Sequence, residues 1–270
     1  MTGATRGTAL VGDPPSRSGA RDRWLVRRHA RPEAATALYC FPHAGGSPGE
    51  YVRWSDDLPG VQVWGVQAPG RGARAAEQPF RAMRPLVAAF LDAVDLRPPF
   101  TLFGHSLGGL VAVEVARGLR DRGRPGPERV VVSATPPPPY PPRATLLHRL
   151  PDDELVDEIG RRFGGLPPEL LRDPWFRRKV ADAHRADLGI FENHGEADVE
   201  PLACPITAVV GDGERDRLDM AGWGRHTTAG VDLHVLPGGH FYLREERAAL
   251  LRILNARLTD PTDPTTLMGA

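Results

Sequence analysis

The feature that most constrains the fold of this chain is a series of six short apolar runs, several of them bounded by proline or glycine. Runs of five or six residues suit buried strands and are too short for helices. In chain order the runs span residues 36–41, 61–66, 100–104, 129–134, 205–210 and 231–236. Between them, helical apolar spacing predicts helices over 85–96 and 107–120, with a last helix over 244–258. We therefore predict an α/β fold with a mainly parallel central sheet flanked by helices.

One long interval interrupts the alternation of strands and helices. After a proline-rich stretch beginning at Pro136, about seventy residues carry helical patterns, over 152–163 and 174–190, but no strand pattern. We interpret residues 136–201 as a helical lid inserted into a core formed by 24–135 and 202–258. Residues 1–23 are predicted to be a disordered N-terminal tail and 259–270 a frayed C-terminal tail.

Composition excludes several classes of function. The 34 basic and 34 acidic residues balance, so no positive field gathers nucleic acid. No segment reaches the length of apolar sequence that a transmembrane helix needs, and the N-terminus lacks a secretion signal, so we expect a cytoplasmic protein without a membrane partner. Cys40 and Cys204 lie in apolar runs and are expected to be free thiols. Six histidines outside the motifs show no paired spacing typical of metal ligands, so neither a metal nor a cofactor is predicted; they are His29, His148, His184, His194, His226 and His234.

The strongest chemical signal is the sequence Gly-His-Ser-Leu-Gly at residues 104–108, which joins a predicted strand to a predicted helix. A serine on such a sharp turn projects its hydroxyl clear of the sheet. Gly104 and Gly108 lack the β-carbons that would collide across the bend. This context favours Ser106 as a nucleophile over a glycine-rich turn with an incidental serine.

A serine nucleophile needs a base and an acid that orients the base. His240 follows the last predicted strand and a glycine pair, which makes it the best candidate for the base. The acid is expected after the strand at 205–210, where Asp212, Glu214 and Asp216 all occur. We choose Asp216, because Gly213 to Asp216 repeats the Gly-x-x-Asp spacing expected of this turn, with Glu214 as the main competitor.

Acyl transfer also needs two backbone N–H groups that stabilise the oxyanion. One normally belongs to the residue after the nucleophile, here Leu107. The other comes from a loop after an earlier strand, and the loop at 41–46 suggests the amide of Ala44.

With these residues in place, the chain resembles the discrete type II thioesterases of polyketide and nonribosomal peptide assembly lines, a branch of the α/β-hydrolase fold. Four blocks carry the resemblance: Phe-Pro-His-Ala-Gly-Gly at 41–46, Gln-Ala-Pro-Gly-Arg-Gly at 67–72, Gly-His-Ser-Leu-Gly-Gly at 104–109 and Leu-Pro-Gly-Gly-His-Phe at 236–241. The family's catalytic serine and histidine fall on Ser106 and His240, and its oxyanion amides on Ala44 and Leu107. Relatives usually have Gly-Asp-x-Asp and a longer segment before the tryptophan than this chain has between Gly211 and Trp223.

The resemblance implies a serine thioesterase that removes acyl groups from the phosphopantetheine arm of acyl or peptidyl carrier proteins, in editing or release. It also implies that the lid covers an acyl chamber, with apolar walls drawn from Leu146, Leu147, Leu150, Leu155, Ile159 and Phe163. We expect a monomer whose partners are carrier proteins. Two other interpretations stay open at this point: a small-molecule carboxylesterase or lipase, and a catalytically idle hydrolase fold that serves as an interaction module.

Overall fold

The computed structural model describes residues 17–140, 145–164, 166, 169–195 and 200–259. The strands among these residues are β1 (Leu25–Val26), β2 (Thr36–Phe41), β3 (Val61–Val66), β4 (Phe100–His105), β5 (Arg129–Ser133), β6 (Ile206–Gly211) and β7 (Val231–Leu236). These seven described strands form one sheet in the order β1-β3-β2-β4-β5-β6-β7. All neighbouring pairs are parallel except β1 with β3. The carboxyl ends of β2 to β7 therefore meet at one edge, which is where ligands bind in open α/β sheets.

Eight α-helices occur among the described residues. They are α1 (Arg17–Trp24), α2 (Gly49–Val52), α3 (Met83–Ala93), α4 (Leu107–Asp121), α5 (Asp152–Phe163), α6 (Pro174–Glu192), α7 (Tyr242–Glu245) and α8 (Arg247–Thr259). Short 3-10 helices occupy Arg53–Asp56, Gly72–Arg74, Leu147–Arg149, Leu170–Arg172 and Met220–His226.

The sheet is covered on both faces. Along β2, Tyr39 and Phe41 belong to the core that contains α3 and α4, whereas Leu38 and Cys40 belong to the core that contains α8. A strand that is buried on both faces has a continuous apolar sequence, which is why the strands were visible in the sequence. All six predicted strands are confirmed with bounds that differ by at most one residue.

The structure differs from the sequence-based prediction at several element ends. Helix α3 begins at Met83, two residues earlier than predicted. It also ends earlier than predicted, because the chain is already extended at Val94. The predicted C-terminal helix is divided into α7 and α8 at Glu246, whose φ of −95° and ψ of 26° are not helical. The strand β1 was not predicted, since two residues are too few for a pattern.

The expected disorder of residues 1–23 is wrong at its C-terminal end. Residues Arg17–Trp24 form α1, and the Trp24 ring packs edge-on against Phe90 of α3 with 5.6 Å between centroids. Burial of this indole gives the helix an anchor that a purely polar stretch lacks. Residues 1–16 of the predicted tail and 260–270 of the predicted frayed end lie outside the described residues.

Between β5 and β6 lies a helical insertion, the name used here for the described residues of the interval 136–201 with α5 and α6 as its main elements. It has a small hydrophobic core of its own, formed by Leu147, Leu155, Val156, Ile159, Val180, Ala181 and Leu188. Because β5 and β6 are parallel neighbours in the sheet, the insertion starts at the carboxyl end of β5 and the chain then returns to the amino end of β6, at the opposite edge.

Candidate active site

Ser106 occupies a sharp turn between β4 and α4. Its backbone has a φ of 54° and a ψ of −123°, a conformation that is costly for a residue with a side chain. Two hydrogen bonds hold it: the Ser106 N–H donates to Ser133 O at 2.8 Å, and Thr135 Oγ1 donates to Ser106 O at 2.7 Å. The end of β5 therefore fixes the peptide groups on both sides of the serine.

The two glycines of the motif are required by close backbone contacts. A β-carbon on Gly104 would lie 2.0 Å from Gly108 O, and one on Gly108 would lie 2.0 Å from Phe41 O. Neither neighbour is the end of a flexible side chain, so neither could move aside cheaply. The predicted reason for Gly-x-Ser-x-Gly thus agrees with the packing of this turn against β2.

His240 lies on the loop after β7, two residues beyond Gly238, whose φ is 112°. Its Nδ1–H donates to Glu214 Oε2 at 2.8 Å. The imidazole and carboxylate side chains are only 8% and 6% exposed, so water screens their interaction weakly. With Nδ1 engaged by the carboxylate, Nε2 is the ring atom available to exchange a proton with a serine.

Glu214, and not the predicted Asp216, therefore contacts His240. The chain turns directly after β6, with the Glu214 N–H donating to Gly211 O at 2.9 Å, and this turn directs the Glu214 side chain toward the imidazole. The Asp216 side chain is 88% exposed and pairs with Arg215. Asp212, the third possibility, accepts a hydrogen bond from the Gly238 N–H at 3.0 Å and braces the loop that carries His240.

One cavity of about 300 Å³ brings the site residues together. Ser106, Leu107, Ala44, Glu214 and His240 all line it, whereas Asp216 does not. The helical insertion supplies much of its apolar wall, through Leu147, Ile159, Phe163, Leu166, Leu188 and Phe191. Of the six wall residues expected from the sequence, Leu147, Ile159 and Phe163 are in this lining, while Leu155 belongs to the insertion's own core.

The residues of the two expected oxyanion donors line the same cavity as the serine. Leu107 is the first residue of α4, where backbone N–H groups have no partner within the helix. Ala44 lies in a turn closed by the Gly46 N–H, which donates to His43 O at 2.9 Å. Within the described residues, neither the Ala44 amide nor the Leu107 amide donates to another group, so both can serve a ligand in the cavity.

His105 packs beside His240, and His43 packs in turn against His105 with 5.8 Å between ring centroids; neither was assigned a role from the sequence. The His105 ring centroid lies 5.1 Å from that of His240, and Ser133 Oγ connects His105 Nδ1 at 2.8 Å with Tyr242 OH at 2.6 Å. Burial lowers the pKa of His105 well below its usual value and that of His43 to about 3. Both rings are therefore neutral near pH 7. Their positions in the sequence blocks 41–46 and 104–109 are the sequence feature that could have indicated a place at this site.

The described residues hold no group of three or more His, Cys, Asp or Glu side chains placed to bind a metal ion. Cys40 and Cys204 are unpaired, and burial raises the pKa of both thiols, to about 11 for Cys204. A protonated thiol is a poor nucleophile, so neither competes with the serine. Among the helices of the described ranges, none is long and apolar enough to cross a membrane.

The known proteins that this chain resembles in sequence and in structure include several thioesterases. The family model of the thioesterase domain matches residues 36–258. Thioesterase PikA5 of Streptomyces venezuelae is 36% identical over 229 residues, which cover 83% of this chain and 81% of the relative. The solved structure of the type II thioesterase BorB from the borrelidin biosynthetic cluster has a TM-score of 0.78 at 34% identity, covering 88% of this chain and 98% of BorB. The RedJ thioesterase from the prodiginine biosynthetic pathway of Streptomyces coelicolor has a TM-score of 0.76 at 33% identity, covering 94% and 97%.

Proposed function

This chain belongs to the thioesterase family, and from that premise we propose that it hydrolyses acyl groups from the phosphopantetheine arm of acyl or peptidyl carrier proteins. Its similarity to PikA5, BorB and RedJ supports a place in polyketide or nonribosomal peptide biosynthesis, as an editing or releasing enzyme. In this proposal Ser106 is the nucleophile, His240 the general base and Glu214 the acid that orients it.

The observation that carries the proposal is the buried pair of Glu214 and His240 beside Ser106 in one cavity. A serine hydroxyl is a weak nucleophile, and activation requires an imidazole whose orientation and tautomer are fixed. The carboxylate supplies both, because it accepts the Nδ1 proton at 2.8 Å and stabilises the imidazolium that forms during the reaction.

Acylation begins when His240 Nε2 takes the proton of the Ser106 hydroxyl and Oγ attacks the thioester carbonyl carbon. The negative charge that develops on the carbonyl oxygen is stabilised by the amides of Ala44 and Leu107, and the N-terminus of α4 adds a favourable dipole. The carbon–sulfur bond then breaks, and the pantetheine sulfur leaves as a thiol with the proton from His240. The acyl group is now an ester of Ser106.

Deacylation repeats the steps with water as the nucleophile. His240 removes a proton from the water molecule, the same two amides stabilise the second oxyanion, and the Ser106 oxygen leaves with the proton from His240. The carboxylic acid is released. The neutral state of His43 and His105 matters here, because a second positive charge beside His240 would disfavour the imidazolium intermediate.

Substrate selection between a carrier-bound thioester and a free ester tests the proposal. We would measure kcat/KM for the same short acyl group on three substrates: a phosphopantetheinylated carrier protein, the corresponding acyl-pantetheine and a p-nitrophenyl ester. We expect the carrier-bound thioester to have the highest kcat/KM, since contacts remote from the reacting carbon contribute to transition-state binding.

The Ser106→Ala variant is the control for all three substrates, because it removes only the nucleophile. Turnover of the p-nitrophenyl ester alone would replace the proposal with a small-molecule esterase. Turnover of none of the three substrates by the wild type would favour an interaction module without catalytic activity.

A further inference from the structure

Asp187 is a carboxylate of the helical insertion that is buried directly beside the oxyanion loop. It lies on α6 and is only 4% exposed. Its Oδ2 accepts a hydrogen bond from the Gly45 N–H at 2.8 Å, and the same oxygen forms an ion pair with Arg71. Arg71 belongs to the loop after β3, so a single carboxylate oxygen joins three separate parts of the chain. A buried charge with two such partners is expensive to disrupt.

The hydrogen bond to Gly45 fixes the conformation of the turn that holds Ala44. His43 to Gly46 form a four-residue turn with Ala44 and Gly45 at its centre, and Gly45 has a φ of 72°. A positive φ at the third position is the mark of a type II turn, in which the central peptide is flipped relative to type I. Asp187 accepts the N–H of that central peptide. The opposite flip would direct the Ala44 carbonyl toward the carboxylate, which is repulsive.

A second side chain of α6 packs on the same turn. A β-carbon on Gly45 would lie 2.3 Å from His184 Cε1, so the imidazole ring fills the space above this glycine. The His184 ring is fixed by its Nδ1–H, which donates to Val180 O at 2.8 Å, and burial lowers its pKa. Helix α6 therefore holds the turn through a hydrogen bond and through close packing.

We propose that Asp187 is a positioning residue for the oxyanion hole, because it holds the His43–Gly46 turn in the form that presents the Ala44 amide to the reacting carbonyl oxygen. This inference rests on the proposed function insofar as Ala44 is one of the two oxyanion donors. It adds a role for the helical insertion: besides covering the cavity, α6 completes the catalytic geometry through the contact of Asp187 with Gly45. Displacement of α6 would then release the His43–Gly46 turn and uncover the cavity at the same time.

Asp187→Ala and Asp187→Asn test the role of the carboxylate, and Asp182→Asn is the matched control, since Asp182 lies exposed on the same helix. We would measure kcat and KM on an acyl thioester, and the inhibition constant of an alkyl trifluoromethyl ketone, which forms a tetrahedral adduct with a catalytic serine. Loss of one oxyanion donor costs roughly 100- to 1000-fold in kcat, so its misplacement is expected to cost roughly 10- to 100-fold.

For Asp187→Ala we expect that loss in kcat with KM changed by less than about twofold, because ground-state binding does not use the oxyanion hole. The affinity for the trifluoromethyl ketone should fall by the same factor as kcat/KM, since both report binding of the oxyanion. Asp187→Asn retains an acceptor oxygen but loses the charge that Arg71 neutralises, so we expect an intermediate loss. Asp182→Asn should match the wild type in all three quantities.

The inference is overturned if Asp187→Asn and Asp187→Ala keep the wild-type kcat, or if they lose kcat without losing affinity for the trifluoromethyl ketone. If Asp187→Ala does not fold, Asp187→Asn and Arg71→Gln carry the same test from the two sides of the ion pair. Failure of the proposed function is a separate outcome: the wild type would then not hydrolyse acyl carrier proteins, while the Asp187 comparison would still be readable on a p-nitrophenyl ester.

Discussion

Glu214 Oε2 lies 2.8 Å from His240 Nδ1, in a pair that joins the loop after β6 to the loop after β7. The carboxylate also accepts a hydrogen bond at its other oxygen, Oε1, from Arg217 Nη2 at 2.9 Å. Its two oxygens are thus engaged by different partners, and the oxygen that faces the imidazole is held in place. This arrangement fixes both the rotamer and the tautomer of His240.

Replacing Glu214 by glutamine tests the role of this carboxylate. The Glu214→Gln variant would retain the shape of the side chain but would no longer stabilise the imidazolium, so we expect kcat to fall by roughly 1000- to 10,000-fold. Steady-state hydrolysis of an acyl-pantetheine measures the effect. Asp216→Asn is the control, and the exposed position of Asp216 predicts a kcat within about twofold of the wild type. A larger loss for Asp216→Asn than for Glu214→Gln would restore the acid chosen from the sequence.

Gly104→Ala is expected to destabilise the fold. The added methyl group would meet the backbone of Gly108 and Gly109, at 2.0 Å and 2.4 Å, and backbone atoms cannot rotate away. We expect a loss of about 3 kcal/mol in the free energy of unfolding, which lowers Tm by about 6 °C in a chain of this size. Gly126→Ala is the control, because nothing lies within 4 Å of a β-carbon there. An unchanged Tm for Gly104→Ala would mean that the turn is looser than the structure shows.

The lowered pKa of His43 predicts a dependence of stability on pH. Its pKa falls from 6.5 to about 3 on folding, mainly through burial. As the pH decreases below about 6.5, the unfolded chain binds a proton at this residue that the folded chain does not bind until about pH 3, so this residue destabilises the fold progressively across that window. His43→Gln removes the titration and should lose less stability than the wild type.

Urea unfolding at pH 7.5 and at pH 4.5 measures this difference. Between pH 7.5 and pH 4.5, we expect the wild type to lose about 2–3 kcal/mol more of its free energy of unfolding than His43→Gln loses. The substitution also removes the contact between His43 Nδ1 and Tyr51 OH, which are 3.0 Å apart. The free energy lost with this contact cancels, because each protein is compared with itself at the two pH values. Equal losses in the two proteins would show that His43 takes up a proton in the folded state.

Phe163 is expected to limit the size of the acyl group. Its ring lines the cavity with its centroid 4.9 Å from that of His240. Phe163→Ala enlarges the cavity beside His240. We expect the ratio of kcat/KM for long acyl chains to kcat/KM for short ones to rise by about tenfold, because a longer chain gains contacts for a few additional methylene groups. A series of acyl-pantetheines of increasing length measures the ratio. Phe176→Ala, which packs against the core of the insertion and does not line the cavity, should leave the ratio unchanged.

Most of the sheet was predictable because the strands β2 to β6 are buried on both faces. Such strands carry continuous apolar sequence that stops where the chain reaches the edge of the sheet, as Phe41 and Pro42 illustrate. The nucleophile turn was predictable for a related reason: Gly104 and Gly108 are demanded by backbone contacts that only a strand followed at once by a helix creates. In both cases the local packing restricts which residue types can occupy a position, so the residue types indicate the structure.

The acid was not predictable, because residue type does not decide between Asp212, Glu214 and Asp216. Which of these points at His240 depends on where the chain turns after β6, and that is set by the hydrogen bond from the Glu214 N–H to Gly211 O. The contact of Asp187 with Gly45 was missed for a similar reason. These residues are 142 positions apart, and no spacing rule connects an amide of one loop to a helix of the insertion.

Ser106 is proposed to remove acyl groups from carrier-bound phosphopantetheine. The most direct test of this role is intact-protein mass spectrometry of an acylated carrier protein incubated with the wild type or with Ser106→Ala. We expect the wild type to return the carrier to its free-thiol mass, and Ser106→Ala to be slower by at least about 10,000-fold with an unchanged Tm. Loss of the acyl group at equal rates with both proteins, or retention of it with both, would show that Ser106 does not catalyse this hydrolysis.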